Sequence, residues 1–119
     1  MEASVLYRLV KDSSDPVYLM GPQENRILDA NRAGCELLGY TRDELVKTPI
    51  SCIHPAELPQ LQAFVDTALA EGEHWTISLA CRTKSGRFLP TEILLMALNV
   101  GAHVYLVGLV RDRSEHRNS

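Results

Sequence analysis

The side chains of this chain that can do covalent chemistry are few, and two of them stand close together: Cys52 and His54. A thiol beside an imidazole is the pair from which a nucleophile and its base are built, because cysteine attacks as the thiolate and needs a neighbouring base to reach it at neutral pH. Two residues of separation in an irregular segment fix no geometry, so a small cysteine-dependent enzyme is an alternative that rests on these residues alone. With Cys35 and Cys81 the thiols are odd in number and lack Cys-x-x-Cys spacing. Neither a disulfide framework nor a zinc site follows, and the simpler reading buries all three as small apolar side chains. No catalytic residue and no metal ligand is assigned. Among the charged residues, Lys84 and Arg87 flank a turn at Gly86, where solvated charges are ordinary, and Asp112 stands near the end of the last apolar run.

Composition narrows the setting. A chain of 119 residues suits one domain and is long enough to bury a core without covalent staples. A formal charge of −3 with acids and bases interspersed offers no polybasic run for nucleic acid or for an anionic lipid surface. No apolar run approaches the ~20 residues a bilayer helix needs, and the first residues lack the pattern of a secretion signal. The expected location is cytoplasmic.

The elements that must position these residues are legible from periodicity. Val5, Leu6, Leu9 and Val10 repeat at helical spacing in a short N-terminal flanking helix, assigned to residues 1–14, that Ser13-Ser14-Asp15-Pro16 breaks. Val17 to Met20 and Arg26 to Ala30 form a hairpin around Gly21-Pro22-Gln23-Glu24-Asn25. Asn31 caps a helix whose Leu37 and Leu38 face inward and which Gly39 stops, and Thr41-Arg42-Asp43-Glu44 has capping-box spacing for the next. A further short piece covers Pro49 to Ile53. His54-Pro55 opens the longest helix, with Leu58, Leu61, Val65, Ala68 and Leu69 on one face and Gly72 as its end. Beyond Gly72 the period becomes alternating: Trp75, Ile77, Leu79 and Cys81 point one way, then come strands over Phe88 to Leu98 and His103 to Arg111. Strands, short helices and three long hairpinned strands make an α+β domain with an antiparallel sheet.

Three pieces carry a resemblance: Asn31-Arg32-Ala33-Gly34 leading into Leu37-Leu38-Gly39-Tyr40-Thr41-Arg42-Asp43-Glu44-Leu45, then Lys84-Ser85-Gly86, then Val110-Arg111-Asp112. In this order they resemble a PAS domain over residues 15–115. The resemblance implies a PAS fold: a five-stranded antiparallel sheet with several short helices and one longer helix on one face. It also implies a cavity between them. By alternation the inward candidates are Ile77, Leu79, Cys81, Ile93 and Leu95, with Leu37, Leu38, Ile53, Leu61 and Val65 opposite. Each also serves as plain core, so the cavity can be filled. The resembling haem sensors ligate iron through a histidine on the long helix, and Ala56 to Gly72 holds none. Haem is disfavoured, and so is a covalently switching flavin, whose Gly-x-Asn-Cys-Arg-Phe-Leu-Gln segment is matched here only by Cys52. The cofactor is otherwise unknown.

Asp112 resembles the Asp of the Asp-Ile-Thr ending, where it marks the signal-output junction. Arg113 and Ser114 replace the Ile and Thr, Ser85 the usual Asp of the turn, and Lys47 a usual Gly. The resemblance implies a sensory and signal-transduction module without turnover of its own. It would bind a small ligand or a partner and relay to an effector elsewhere in a bacterial parent chain, with residues 116–119 beginning the linker. Histidine kinase of a two-component system, diguanylate cyclase and transcription regulator are the expected effectors. The alternative within the family is a ligand-free dimerisation module. A homodimer is expected through Val5, Leu6, Leu9 and Val10 with Leu94 and Met96 on the outer sheet face.

Overall fold

The computed structural model describes residues 14–21, 26–53, 58–77 and 79–114. The flanking helix with Val5, Leu6, Leu9 and Val10, the turn at 22–25, His54, the side chain of Leu58, and the segment 116–119 lie outside the described residues.

Apolar alternation makes the first hairpin, β1 (Val17–Gly21) with β2 (Arg26–Ala30). Leu19 faces Asp29 but Met20 faces Ile27, so Leu28 is an extra residue on β2, a bulge that sharpens the bend. Four helices follow: α1 (Arg32–Leu38), α2 (Arg42–Val46), α3 (Ile50–Ile53) and α4 (Leu58–Glu71). Their ends obey the local rules. Asn31 caps α1, Gly39 closes it at φ 82°, and Thr41 with Glu44 forms both halves of a capping box on α2. On α4 the buried residues are Phe64 and Ala68, with Leu61 and Val65 half-buried beside them; Leu69, expected on the inner face, is 38 % exposed. The inner stripe runs through 61, 64, 65 and 68, and Leu69 falls one step past its edge.

The remaining strands are β3 (Glu73–Thr76), β4 (Ala80–Arg82), β5 (Phe88–Val100) and β6 (His103–Asp112). Across the sheet the order is β2-β1-β6-β5-β3, with β4 also paired to β5 and every pairing antiparallel. Five positions across are thus filled by six strands, because β3 and β4 are two pieces of one edge. Their break explains a misplacement. Thr76 stands opposite Ile93 and Ala80 opposite Pro90, so the chain takes four steps on this edge for three on β5. One extra residue reverses the alternation. Leu79 and Cys81 point into the core, whereas Trp75 and Ile77, assigned to the same row, are 51 % and 45 % exposed. Thr91, fully buried, pins the bulge by giving both its N–H (3.2 Å) and its hydroxyl (2.8 Å) to the Leu79 carbonyl.

Between the inner sheet face and the helices lies the core, in which Leu38, Leu45 and Leu106 are fully buried. Each contributes roughly 1.5 to 3 kcal/mol by leaving water. No described helix is long and apolar enough to cross a membrane.

Candidate functional site

Inside that core the packing is incomplete. A cavity of about 420 Å³ is bounded on the sheet side by Tyr18, Met20, Ile27, Cys81, Ile93, Leu95, Leu106, Gly108 and Val110, and on the helix side by Leu38, Ile50, Ser51, Ile53, Leu61, Gln62, Phe64 and Val65. Seven expected liners meet here: Leu38, Ile53, Leu61, Val65, Cys81, Ile93 and Leu95. Leu79 is buried without reaching the wall, Leu37 packs against the core from its edge, and Ile77 is on the outside.

About half of the liners that sequence reasoning passed over come from β1 and β6. Their alternation carried the same signal: Val110, Gly108 and Leu106 stand opposite the inward Ile93, Leu95 and Ala97. Gly108 opens the space. A Cβ there would sit 2.8 Å from the Met20 methyl and 3.3 Å from Leu95 Cδ2, so the missing side chain is what lets Met20 cross the strand.

The polar groups in this region are engaged. The Tyr18 hydroxyl donates to the Gly34 carbonyl at 2.8 Å. Burial holds its pKa well above the usual phenol value, with charge on Cys81 and Cys35 adding to the effect, so it is a neutral donor. Cys81 Sγ lies 3.9 Å from Thr91 Oγ1. Among the described residues no histidine and no ionisable carboxylate or amine lines the cavity. Among the described residues no group of three or more His, Cys, Asp or Glu side chains is placed to share a metal ion.

A tightly bonded corner flanks the cavity at the start of β1. Asn31 is 2 % exposed; its Oδ1 accepts from Val17 N at 3.0 Å and Gly34 N at 2.8 Å, and its Nδ2 donates to the Asp15 carbonyl at 2.8 Å. One side chain thus caps α1 and ties it to β1 and the residue before it. Glu44 does similar double service. Beyond its capping-box bond to Thr41 N it accepts from Lys84 Nζ at 2.6 Å, joining α2 to the β4–β5 turn. The Lys84 hydrogen bond first, then the Thr41 N–H, hold the Glu44 carboxyl below its ordinary value. Lys84 is therefore a turn charge that is paired while still open to solvent.

The thiols differ. Cys81 is buried, Cys35 half-buried and Cys52 exposed, so the expectation of three buried thiols fails at Cys52, on the outer side of the short α3. Burial, with the nearby Asp29 charge, pushes the Cys35 thiol up and away from reactivity.

Asp112 ends β6. Its Oδ1 accepts from the Ser114 N–H at 2.8 Å and from the Ser114 hydroxyl at 2.6 Å, a local turn in which Ser114 acts on the carboxylate. Next to it, Arg113 N donates to the Pro90 carbonyl at 2.8 Å.

Comparison with known proteins agrees with this geometry. A PAS domain from a two-component sensor histidine kinase superposes with a TM-score of 0.78 at 17% identity, covering 92% of this chain and 95% of that one. The PAS domain of a protein from Colwellia psychrerythraea gives 0.80 at 17% identity, with 94% and 97% covered. A domain of a sensory box sensor histidine kinase/response regulator from Geobacter sulfurreducens gives 0.71 at 25% identity, with 92% and 93% covered. No curated protein matches significantly. The sequence profile described as PAS domain matches residues 14–115, the span that holds every strand and helix described above, and the chain belongs to the PAS domain family.

Proposed function

We propose that the chain is the sensory module of a bacterial signalling protein, and that a small molecule held in the cavity is its signal. PAS domains are sensory units rather than enzymes as a class, and relatives of this fold occur in sensor histidine kinases. The observation that carries the ligand reading is the cavity of about 420 Å³, within the ~300 to 1,000 Å³ of small-molecule sites. Its wall includes Leu106, Gly108 and Val110 of β6, the strand that ends at Asp112. A ligand that fits one arrangement of β6 better biases whatever follows Asp112, and the size of the bias equals the difference in affinity for the two arrangements. The effector, a histidine kinase or another output domain in a cytosolic parent chain, lies beyond these residues. Thermal melting against a broad small-molecule panel tests the ligand: at about 100 times its Kd it adds about 2.7 kcal/mol, raising Tm by about 10 °C or more. A panel without any stabilising member overturns the reading.

A homodimer accompanies this function. The outer sheet face carries Leu94 and Met96 on β5, opposite Trp75 and Glu73 of β3, with Leu94 and Met96 half-buried and Trp75 exposed. A second copy is the proposed occupant, with Val5, Leu6, Leu9 and Val10 completing the interface, since so short an apolar stripe is marginal as a helix alone. In sedimentation equilibrium the intact chain should dimerise and both Leu6→Asp/Leu9→Asp and Leu94→Asp should weaken it. A wild-type monomer at high micromolar concentration refutes the dimer and leaves the ligand reading intact.

A further inference from the structure

Resting on the reading of the cavity as a ligand site, the distribution of polarity around its wall identifies what it takes. Among the described residues the wall holds no Asp, Glu, Lys, Arg or His. A charged group drawn inside would lose its hydration with no counter-charge to replace it. The deep polar atoms have partners already, the Tyr18 hydroxyl on the Gly34 carbonyl and Cys81 Sγ beside Thr91 Oγ1. What remains in the depth is hydrocarbon, with Leu95, Leu106 and Ile93 all buried.

The rim is different. The liners that keep contact with solvent are Met20 on β1, Ile50 and Ser51 on α3, and Leu61, Gln62 and Val65 on α4. The opening therefore lies where the end of β1 meets those two helices. Both hydrogen-bonding side chains of the helix wall, Ser51 and Gln62, are in this set. One turn along α4, Asp66 Oδ1 accepts from Gln62 Nε2 at 2.9 Å, which places negative charge beside the opening and disfavours an anion there.

We infer that the cavity binds a neutral, mainly aliphatic molecule of medium chain length, its hydrocarbon against Leu95 and Leu106 and a single uncharged hydrogen-bonding group at the rim beside Ser51 and Gln62. A volume of about 420 Å³ is in the lower part of the range for small-molecule sites, which suits such a chain better than a nucleotide-sized cofactor. Each further methylene that enters the depth multiplies affinity about fourfold.

The test is calorimetric titration of the whole chain with 1-octanol, 1-hexanol, octanoate well above its pKa, and octyltrimethylammonium. The expected result is one 1-octanol per chain, binding about tenfold or more tighter than 1-hexanol, tighter by a similar factor than octanoate, which the Asp66 charge also repels, and tighter than octyltrimethylammonium, whose head group offers Ser51 and Gln62 no hydrogen bond. Val65→Trp at the rim should abolish binding with the circular dichroism spectrum unchanged. Should that variant not fold, Ser51→Ala/Gln62→Ala supplies the check, lowering 1-octanol affinity several-fold while leaving the chain-length increment intact. Equal or tighter binding of an ion, or binding of none of the four, overturns the ligand class; the sensory reading falls only if the broad panel also yields no stabilising molecule. Undiminished 1-octanol binding in a folded Val65→Trp, or in Ser51→Ala/Gln62→Ala, overturns the placement.

Discussion

The corner around Asn31 and the cavity a few residues away are built from the same strands yet use opposite kinds of packing. At the corner, side chains and backbone meet through directed bonds: the Asn31 side chain on Val17, Gly34 and Asp15, the Tyr18 hydroxyl on Gly34, and the Val17 carbonyl accepting from Asn31 N at 3.1 Å. Around the cavity, flexible apolar side chains such as Met20, Leu61 and Leu95 border empty space. Directed bonds fix one geometry and lose much when one partner is removed, whereas side chains beside a void can move at low cost. The corner holds the domain's shape, and on the proposed function the cavity is where that shape responds.

Removing the hub of the corner should have the largest effect. Asn31→Ala deletes the cap of α1 and strands the buried Val17 N–H; a lost cap costs about 1 kcal/mol and an orphaned buried donor about 1 to 3, so the expected loss is about 2 to 4 kcal/mol in urea unfolding. Leu61→Ala, at the half-exposed rim of the cavity, should cost less than that. The reverse order would break the contrast.

The corner was only partly legible in the sequence. Asn31 as a cap and Thr41 with Glu44 as a capping box are local signals, decided by residues three apart, and both stand in the structure. The bonds from Asn31 to Val17 and Asp15 join residues 14 and 16 apart, and no local pattern encodes them. The cavity wall was legible wherever strand alternation ran unbroken, as at Ile93 and Leu95. It failed at Ile77, because a bulge shifts the phase without any Gly or Pro to announce it. Alternation puts Gly108 on the inner row, but only the paired strand shows that Met20 fills the place of its side chain.

A smaller effect comes from making one substitution, glycine to alanine, in both regions. In α1, Gly34→Ala gains up to about 1 kcal/mol of helix propensity. Its Cβ, however, would lie 3.0 Å from Tyr18 Cε1 and 3.1 Å from the Val17 carbonyl oxygen. Neither neighbour can give, since the Tyr18 ring is held by its own hydroxyl and the carbonyl by Asn31, so a net loss of about 1 to 2 kcal/mol is expected. In β6, Gly108→Ala meets the Met20 methyl at the closer distance of 2.8 Å, but that methyl is the end of a flexible chain beside a void. The expected change is within about 0.5 kcal/mol, together with a narrower cavity and weaker ligand binding. Paired urea melts decide between mobility and distance: if distance alone governs, Gly108→Ala is the worse of the two.

The smallest effect is electrostatic and tests whether the corner is fastened to the β4–β5 turn. Because the folded-state pKa of Glu44 lies below its ordinary 4.5, the ionised carboxylate favours the folded state. That contribution is present above the ordinary value and disappears as pH falls through the lower folded value. Both Lys84 and Glu44 are substantially exposed, with 53% and 42% of their side-chain surfaces open to water, so solvent screens the pair and its share is small. In Lys84→Met the largest cause of the shift is gone while the Thr41 N–H bond remains, so the Glu44 pKa should rise part of the way back. Followed by the carboxyl carbon chemical shift in a carbon-13 titration, the wild-type midpoint should lie below that of Lys84→Met, and added salt should bring the two closer. Coincident midpoints at low salt would mean that the capping box alone holds Glu44, and that the turn is joined to the corner by the Lys84 N–H to Leu38 carbonyl bond at 2.9 Å rather than by charge.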